Sequence, residues 1–218
     1  MHILTSHQGT SKPSRTSSHQ AHLSPALEWI WKFLSDVRHP QVLDCGPVFQ
    51  ATVDVLLRRR AKIHVADFIT PLLHDESRFW DRRGKVAVFR TAEFLSQFPP
   101  IPPESLTAVF GWHLLDLLPR EAHQSLVERW FSYLAPGGML LCVLREPRLE
   151  KGSEMMWWLE SLTTLGSSRE GVRPFPYPAV TNREMERLAP GGSVKTFLTR
   201  SGRREVVVAL QNELGSLR

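Results

Sequence analysis

Cysteine is scarce in this chain. Only Cys45 and Cys142 occur among 218 residues, each inside an apolar, strand-like stretch. That excludes a disulfide framework and fits free thiols in a reducing compartment. Long apolar runs are missing too. The longest candidate, Met139 to Leu144, falls far short of the roughly eighteen apolar residues of a membrane helix. Acidic residues are absent from the opening MHILTSHQGTSKPSRTSSHQAH, which also lacks an apolar period and the apolar centre of a secretory signal. Such a segment buries too little surface to offset its ordering entropy, so residues 1–23 are expected to form a disordered tail. The expected location is the cytoplasm, with no membrane partner. His64, Cys45 and Cys142 show no ligand spacing, and no metal site is expected.

What remains is the composition of a globular domain: 42% apolar and 22% charged residues, with a net charge of +5. Residues 24–218 are long enough for one domain with a full core. The arginines are spread over Arg58-Arg59-Arg60, Arg82-Arg83 and Arg200/Arg203/Arg204. No aromatic-interleaved basic stripe accompanies them, so nucleic acid is a disfavoured alternative to a solvated basic surface.

Helices and strands alternate along the chain. Ser24-Pro25 suits a helix start, and Leu27, Ile30, Trp31 and Leu34 follow at helical spacing. Residues 49–58 predict a second helix. Ala122, Leu126, Val127, Trp130, Phe131 and Leu134 give a longer one over 121–134. Between them lie strand patterns at 42–43, 62–67, 85–89, 106–110 and 139–144. A short helix over 182–188 precedes two further strands, 194–199 and 205–210, joined across Ser201-Gly202 and therefore antiparallel. The pattern predicts an α/β domain with five parallel strands and a hairpin-linked pair, covered by helices on both faces.

In open parallel sheets ligands bind past the carboxyl ends of the strands, where strand order reverses. That nominates 44–50, 67–68, 91–94 and 111–113. Asp67 follows Gly46 by 67 − 46 = 21 residues, close to the offset of about 20 that sets an acid on a ribose hydroxyl. The plain alternative for Asp67 is a strand-end turn residue. For Trp112 it is a core aromatic.

Read in order, VLDCGP, KIHVADF, SLTAVFGWHLLDLL and LVERWFSYLAPGGMLLCVL resemble the class I S-adenosylmethionine-dependent methyltransferases over residues 25–212. The resemblance implies a Rossmann-like, doubly wound, seven-stranded sheet, mostly parallel, with an antiparallel last strand inserted between the fifth and sixth. It also implies S-adenosyl-L-methionine as cofactor. Asp44, Cys45, Gly46 and Pro47 would meet the methionine part, with Asp44 near its amino group. Asp67 would hold the ribose, and Phe68 would flank the adenine. Glu93 or Phe94 would lie at the adenine rim, and Gly111 and Trp112 would close over the cofactor. The chain departs from the family at Val48 and Gln50, which replace the second and third glycines, and near Thr107, where an acid is usual. A β-branched residue fits φ > 0 poorly, so the loop is expected to run differently, guided by Pro47.

His113 stands at the mouth of the expected site. It reads first as a structural histidine and second as a base for the methyl acceptor. Residues 145–180 are expected to form a substrate lid, with an apolar helix face at Glu154–Leu159 and a proline-aromatic strap at Arg173–Pro178. Two functions compete: methyl transfer to a small molecule, and a non-catalytic binding or scaffold protein that keeps the fold. Methylation of nucleic acid is a further alternative.

Overall fold

Ser24 starts the first helix as its sequence requires. Its hydroxyl accepts a bond from the Leu27 amide at 3.1 Å, and Pro25 occupies the first helical position. The same hydroxyl donates to Glu205 Oε2 at 2.7 Å, and the Ala26 amide donates to that oxygen at 3.1 Å. One buried carboxylate therefore joins the first helix to the last strand. A computed structural model gives the fold, and the structure describes residues 19–75, 77–83, 86–146, 156–168, 175–199 and 203–210.

In chain order the elements are β1 (Gln20–Leu23), α1 (Pro25–Phe33), β2 (Gln41–Asp44), α2 (Gln50–Arg58), β3 (Lys62–Val65), α3 (Ile69–His74), β4 (Trp80–Arg83), β5 (Val86–Phe89) and α4 (Thr91–Leu95). Then follow β6 (Leu106–Trp112), α5 (Leu114–Leu117), α6 (Arg120–Tyr133), β7 (Leu134–Arg145), β8 (Met156–Leu159), β9 (Thr164–Ser168), α7 (Asn182–Leu188), β10 (Gly192–Leu198) and β11 (Arg203–Leu210). Among the described residues the main sheet has six strands in the order β10-β11-β7-β6-β2-β3. β2, β3, β6 and β7 pair in parallel, and β11 runs antiparallel between β7 and β10. Val206 to Val208 and Leu140 to Cys142 are fully buried, as strands covered on both faces must be. α6 turns Ala122, Leu126, Val127 and Trp130 into the core, as its period predicts.

Three expectations need correction. Among the described residues the sheet has six strands where seven were expected, and β5 pairs antiparallel with β4 outside it. Phe89 turns into an aromatic cluster with Phe79 and Phe94, while Val88 stays 39% exposed. Of the run, Phe89 is buried, while Ala87 and Val88 are exposed. The tail does not extend to residue 23, since residues 20–23 form β1; residues 1–18 lie outside the described residues. Met156–Leu159 is a strand, not a helix, and β1, β9 and β8 form a separate antiparallel sheet in that order. Residues 154–155 and 173–174 lie outside the described residues.

The small sheet is held by its tryptophans. Trp157 meets the Arg203 guanidinium at 4.4 Å from its ring centroid, while Trp158 stacks on Phe49 at 4.6 Å. Trp158 lies across Gly166, where an added Cβ would come within 2.2 Å of the indole. The Leu159 amide donates to Thr52 Oγ1 at 3.0 Å, which docks β8 on α2. Among the described residues no helix is long and apolar enough to cross a membrane.

Candidate active site at the strand ends

Strand order reverses between β3-β2 and β6, so the crevice rule points to the carboxyl ends of β2 and β6. β2 ends in Asp44, which is buried. Its Oδ1 accepts the Gly46 amide at 3.0 Å and the Trp112 indole N–H at 2.6 Å. Burial pushes its carboxyl up to about 6, against the pull of those two bonds and with a small contribution from the nearby Asp67 charge. The loop is pinned on both sides: the Cys45 amide donates to Phe110 O at 3.0 Å, and the Phe68 amide donates to Cys45 O at 3.2 Å. Cys45 itself is buried and free, and burial pushes its thiol up.

The altered loop takes ordinary backbone. Among the described residues, positive φ occurs outside glycine only at Arg60, Glu104 and Trp112. Val48 and Gln50 therefore avoid the conformation that the missing glycines would permit. Val48 is 66% exposed, and Gln50 opens α2 with its amide on Asp54 at 2.7 Å. The left-handed residue of the site is Trp112 itself, at φ +47° and 1% exposure. Its ring lies on Gly46: an added Cβ there would stand 2.7 Å from Trp112 Cδ1 and 2.8 Å from Nε1.

Asp67 sits beside this loop, two residues past β3 and partly buried. Its Oδ1 accepts the Thr70 amide at 2.9 Å, so the acid also serves the start of α3. Phe68 and Phe94 pack together. Both are buried, 4.7 Å apart, in the cluster that includes Phe79, Phe89 and Phe98. Glu93 is exposed and pairs with Arg90 at 2.6 Å. Gly111 is required by packing, because a Cβ there would meet the Trp130 ring at 2.8 Å. Asp44, Gly46 and Trp112 are thus in direct contact, with Asp67 beside the loop they share.

A second polar group lies past β6 and β7. His113 is buried, not at an open mouth, and among the described residues neither ring nitrogen has a hydrogen-bond partner. Burial holds its imidazole down at about 4, hence neutral. Asp116 is fully buried in α5, and its Oδ2 accepts the Arg145 amide at 2.9 Å. Burial raises its carboxyl to about 6, partly offset by that bond and by the Arg145 charge. The Arg145 Nε lies 3.9 Å from Asp116 Oδ1, and its guanidinium sits 4.8 Å from the Phe175 centroid. The His113 ring meets Phe175 edge-on at 6.0 Å. Arg145 also donates to Tyr177 O, and Arg204 to Val180 O and Asn182 Oδ1. Two arginines therefore anchor the segment 175–182. Sequence reading missed Asp116, a single polar residue in an apolar run, and both arginines, which sit among other charged residues at strand ends with nothing to single them out. Among the described residues no group of three or more His, Cys, Asp or Glu side chains is placed to hold a metal ion.

No protein-family model matches the chain, and no curated protein matches it. Among solved structures it is similar to a putative type 11 methyltransferase from Sulfolobus solfataricus, with 12% identity and a TM-score of 0.49 over 90% of this chain and 98% of that one. It is similar to the 1,6-didemethyltoxoflavin-N1-methyltransferase of Burkholderia thailandensis, solved with 1,6-didemethyltoxoflavin and S-adenosylhomocysteine. There the identity is 14% and the TM-score 0.47, over 86% of this chain and 77% of that one. It is also similar to a SAM-dependent methyltransferase from Aquifex aeolicus, at 12% identity and a TM-score of 0.46 over 91% and 94%. These likenesses are too remote to carry those proteins' functions to this chain. The chemistry has to be argued from Asp44, Asp67, Trp112 and the group around His113.

Proposed function

We propose that the chain is an S-adenosylmethionine-dependent methyltransferase acting on a small molecule. The observation that carries this reading is the pair Asp44 and Asp67, at the carboxyl ends of neighbouring parallel strands beside the point where strand order reverses. The neighbours solved with S-adenosylhomocysteine agree with it in kind.

The residues suit that cofactor in charge. Asp67 has an acid to offer a ribose, where a charged hydrogen bond is worth about 1.5–3 kcal/mol. Asp44 offers a buried carboxylate to the amino group, and Gly46 offers a face without a side chain. When bound, the cofactor supplies a methyl group on a positively charged sulfur. The chain then has to orient the acceptor and exclude water, since positioning can provide most of the acceleration of such an in-line displacement.

On the acceptor side stand His113, Asp116, Arg145 and Phe175. An imidazole held near 4 is a weak base at neutral pH. His113 is therefore better suited to orienting an acceptor through its unpartnered nitrogens than to removing its proton. Phe175 and the small sheet with Trp157 and Trp158 make the cover.

One observation favours the second reading, a non-catalytic protein that keeps the fold: the Trp112 indole covers Gly46 and holds Asp44. A thermal shift separates the two. At S-adenosylhomocysteine about 100-fold above its dissociation constant, binding adds about 2.7 kcal/mol of stability. The enzyme reading expects that shift in the native chain and its loss in Asp67→Ala. An unchanged shift in Asp67→Ala would mean the ribose assignment is wrong.

A further inference from the structure

We propose that Trp112 is a plug built into the chain: its indole occupies the ligand's place over Asp44 and Gly46, and the site takes a ligand only when that ring swings out. The proposal rests on the cofactor reading above.

Four features meet in this one side chain. Trp112 ends β6, beside the reversal of strand order. Its φ of +47° is a conformation that costs a bulky L-residue roughly 1–2 kcal/mol. Something in the closed state must offset that cost. The candidate is the 2.6 Å bond from its N–H to the Asp44 carboxylate, made where the ring is 1% exposed. Finally, the ring lies against the bare face of Gly46, within 2.8 Å of where any Cβ would stand.

The last two contacts decide the matter. Close approach to Gly46 and a donor to Asp44 are what the amino-acid end of the cofactor would require, and the indole already uses both. The two occupants exclude each other. An ammonium group answers a buried carboxylate better than a neutral indole N–H does. The ligand therefore has an advantage at Asp44 to set against the loss of the ring's packing. The relation to affinity is direct: if the open form is about 1% populated, the apparent dissociation constant is raised about 100-fold.

The test is calorimetric titration of the full-length chain with S-adenosylhomocysteine. Its sulfur is uncharged, so no cation–π contact with Trp112 confuses the result. Trp112→Phe keeps a ring but loses the bond to Asp44. Trp112→Gly removes the ring and suits positive φ. At least ten-fold tighter binding than wild type is expected for Trp112→Phe, and for Trp112→Gly where its far-UV circular dichroism stays native. Tryptophan emission gives a second readout. Ligand should red-shift the wild-type spectrum as the ring reaches water, and the shift should be missing in Trp112→Phe. Equal or weaker affinity in folded variants, or wild-type emission unmoved by bound ligand, overturns the plug alone. No binding by wild type or either variant overturns the plug and the cofactor reading together.

Discussion

At the scale of single residues, the site is a set of buried polar groups with few partners. His113 is the clearest case, and its charge state can be read from stability. Its folded value near 4 lies below the usual 6.5 because burial disfavours the cation. The unfolded chain therefore binds a proton at higher pH than the folded one, and this contribution to stability is complete above 6.5 and lost as pH falls toward 4. Asp44 and Asp116 act in the opposite sense: burial raises both to about 6, so protonation relieves their cost as pH falls through that value. The difference between variants isolates the histidine. Between pH 7 and pH 4.5, urea unfolding should show wild type losing about 2–3 kcal/mol relative to His113→Leu. A difference that stays constant with pH would mean that His113 is solvated.

Part of the candidate site was legible at this scale. The spacing from Gly46 singled out Asp67, which lies near Asp44, and the missing glycines foretold an altered loop, now seen in the ordinary backbone at Val48 and Gln50. Thr107, standing where an acid is usual, accepts the Gln41 amide at 3.0 Å and fixes the start of β2. Trp112 was not legible. Nothing in the sequence says that a tryptophan will adopt positive φ, and that choice turns its ring onto Gly46. The rings of Phe68 and Phe94 could not be placed either, because an aromatic after a strand end packs equally well behind a crevice or along its edge.

At the scale of elements, runs with an unambiguous period were read correctly. α1 with its Ser24 cap, α6, α7 and the β10–β11 pair all match their patterns. Two short runs misled. Val86–Phe89 looks like a central strand, but it pairs with β4 outside the main sheet, and its Phe89 feeds the aromatic cluster. Met156–Leu159 is apolar on both sides, so it has no alternation to identify it as a strand; each face finds its own cover, Arg203 for Trp157 and Phe49 for Trp158. This small sheet should be sensitive to one methyl group. In Gly166→Ala the new Cβ would fall 2.2 Å from the Trp158 ring, forcing it off Phe49. A loss of about 1–3 kcal/mol is expected from such overpacking, read as a lower urea midpoint. An unchanged midpoint would show that Trp158 is free to move aside.

At the scale of the whole molecule, two sheets meet over one loop. The main sheet delivers Asp44, Asp67 and Trp112 to the reversal point. The small sheet, docked through Thr52 and Phe49 on the helix that follows the loop, covers it from the outside. The arginine-anchored segment 175–182 brings Phe175 to His113 and Arg145. Buried groups of this kind suit a reaction in which position and exclusion of water matter more than acid–base strength. The affinity of the site should depend on Asp44 being ionised, since an amino group binds the carboxylate and not the acid.

The central claim, that the strand ends around Asp44 and Asp67 hold S-adenosylmethionine, is tested most directly by titrating the intact chain with S-adenosylhomocysteine across pH. The account predicts one molecule bound per chain, with affinity falling as pH drops through about 6, where Asp44 takes up its proton. Absence of binding at millimolar ligand, in Trp112→Phe as well as in wild type, would contradict it.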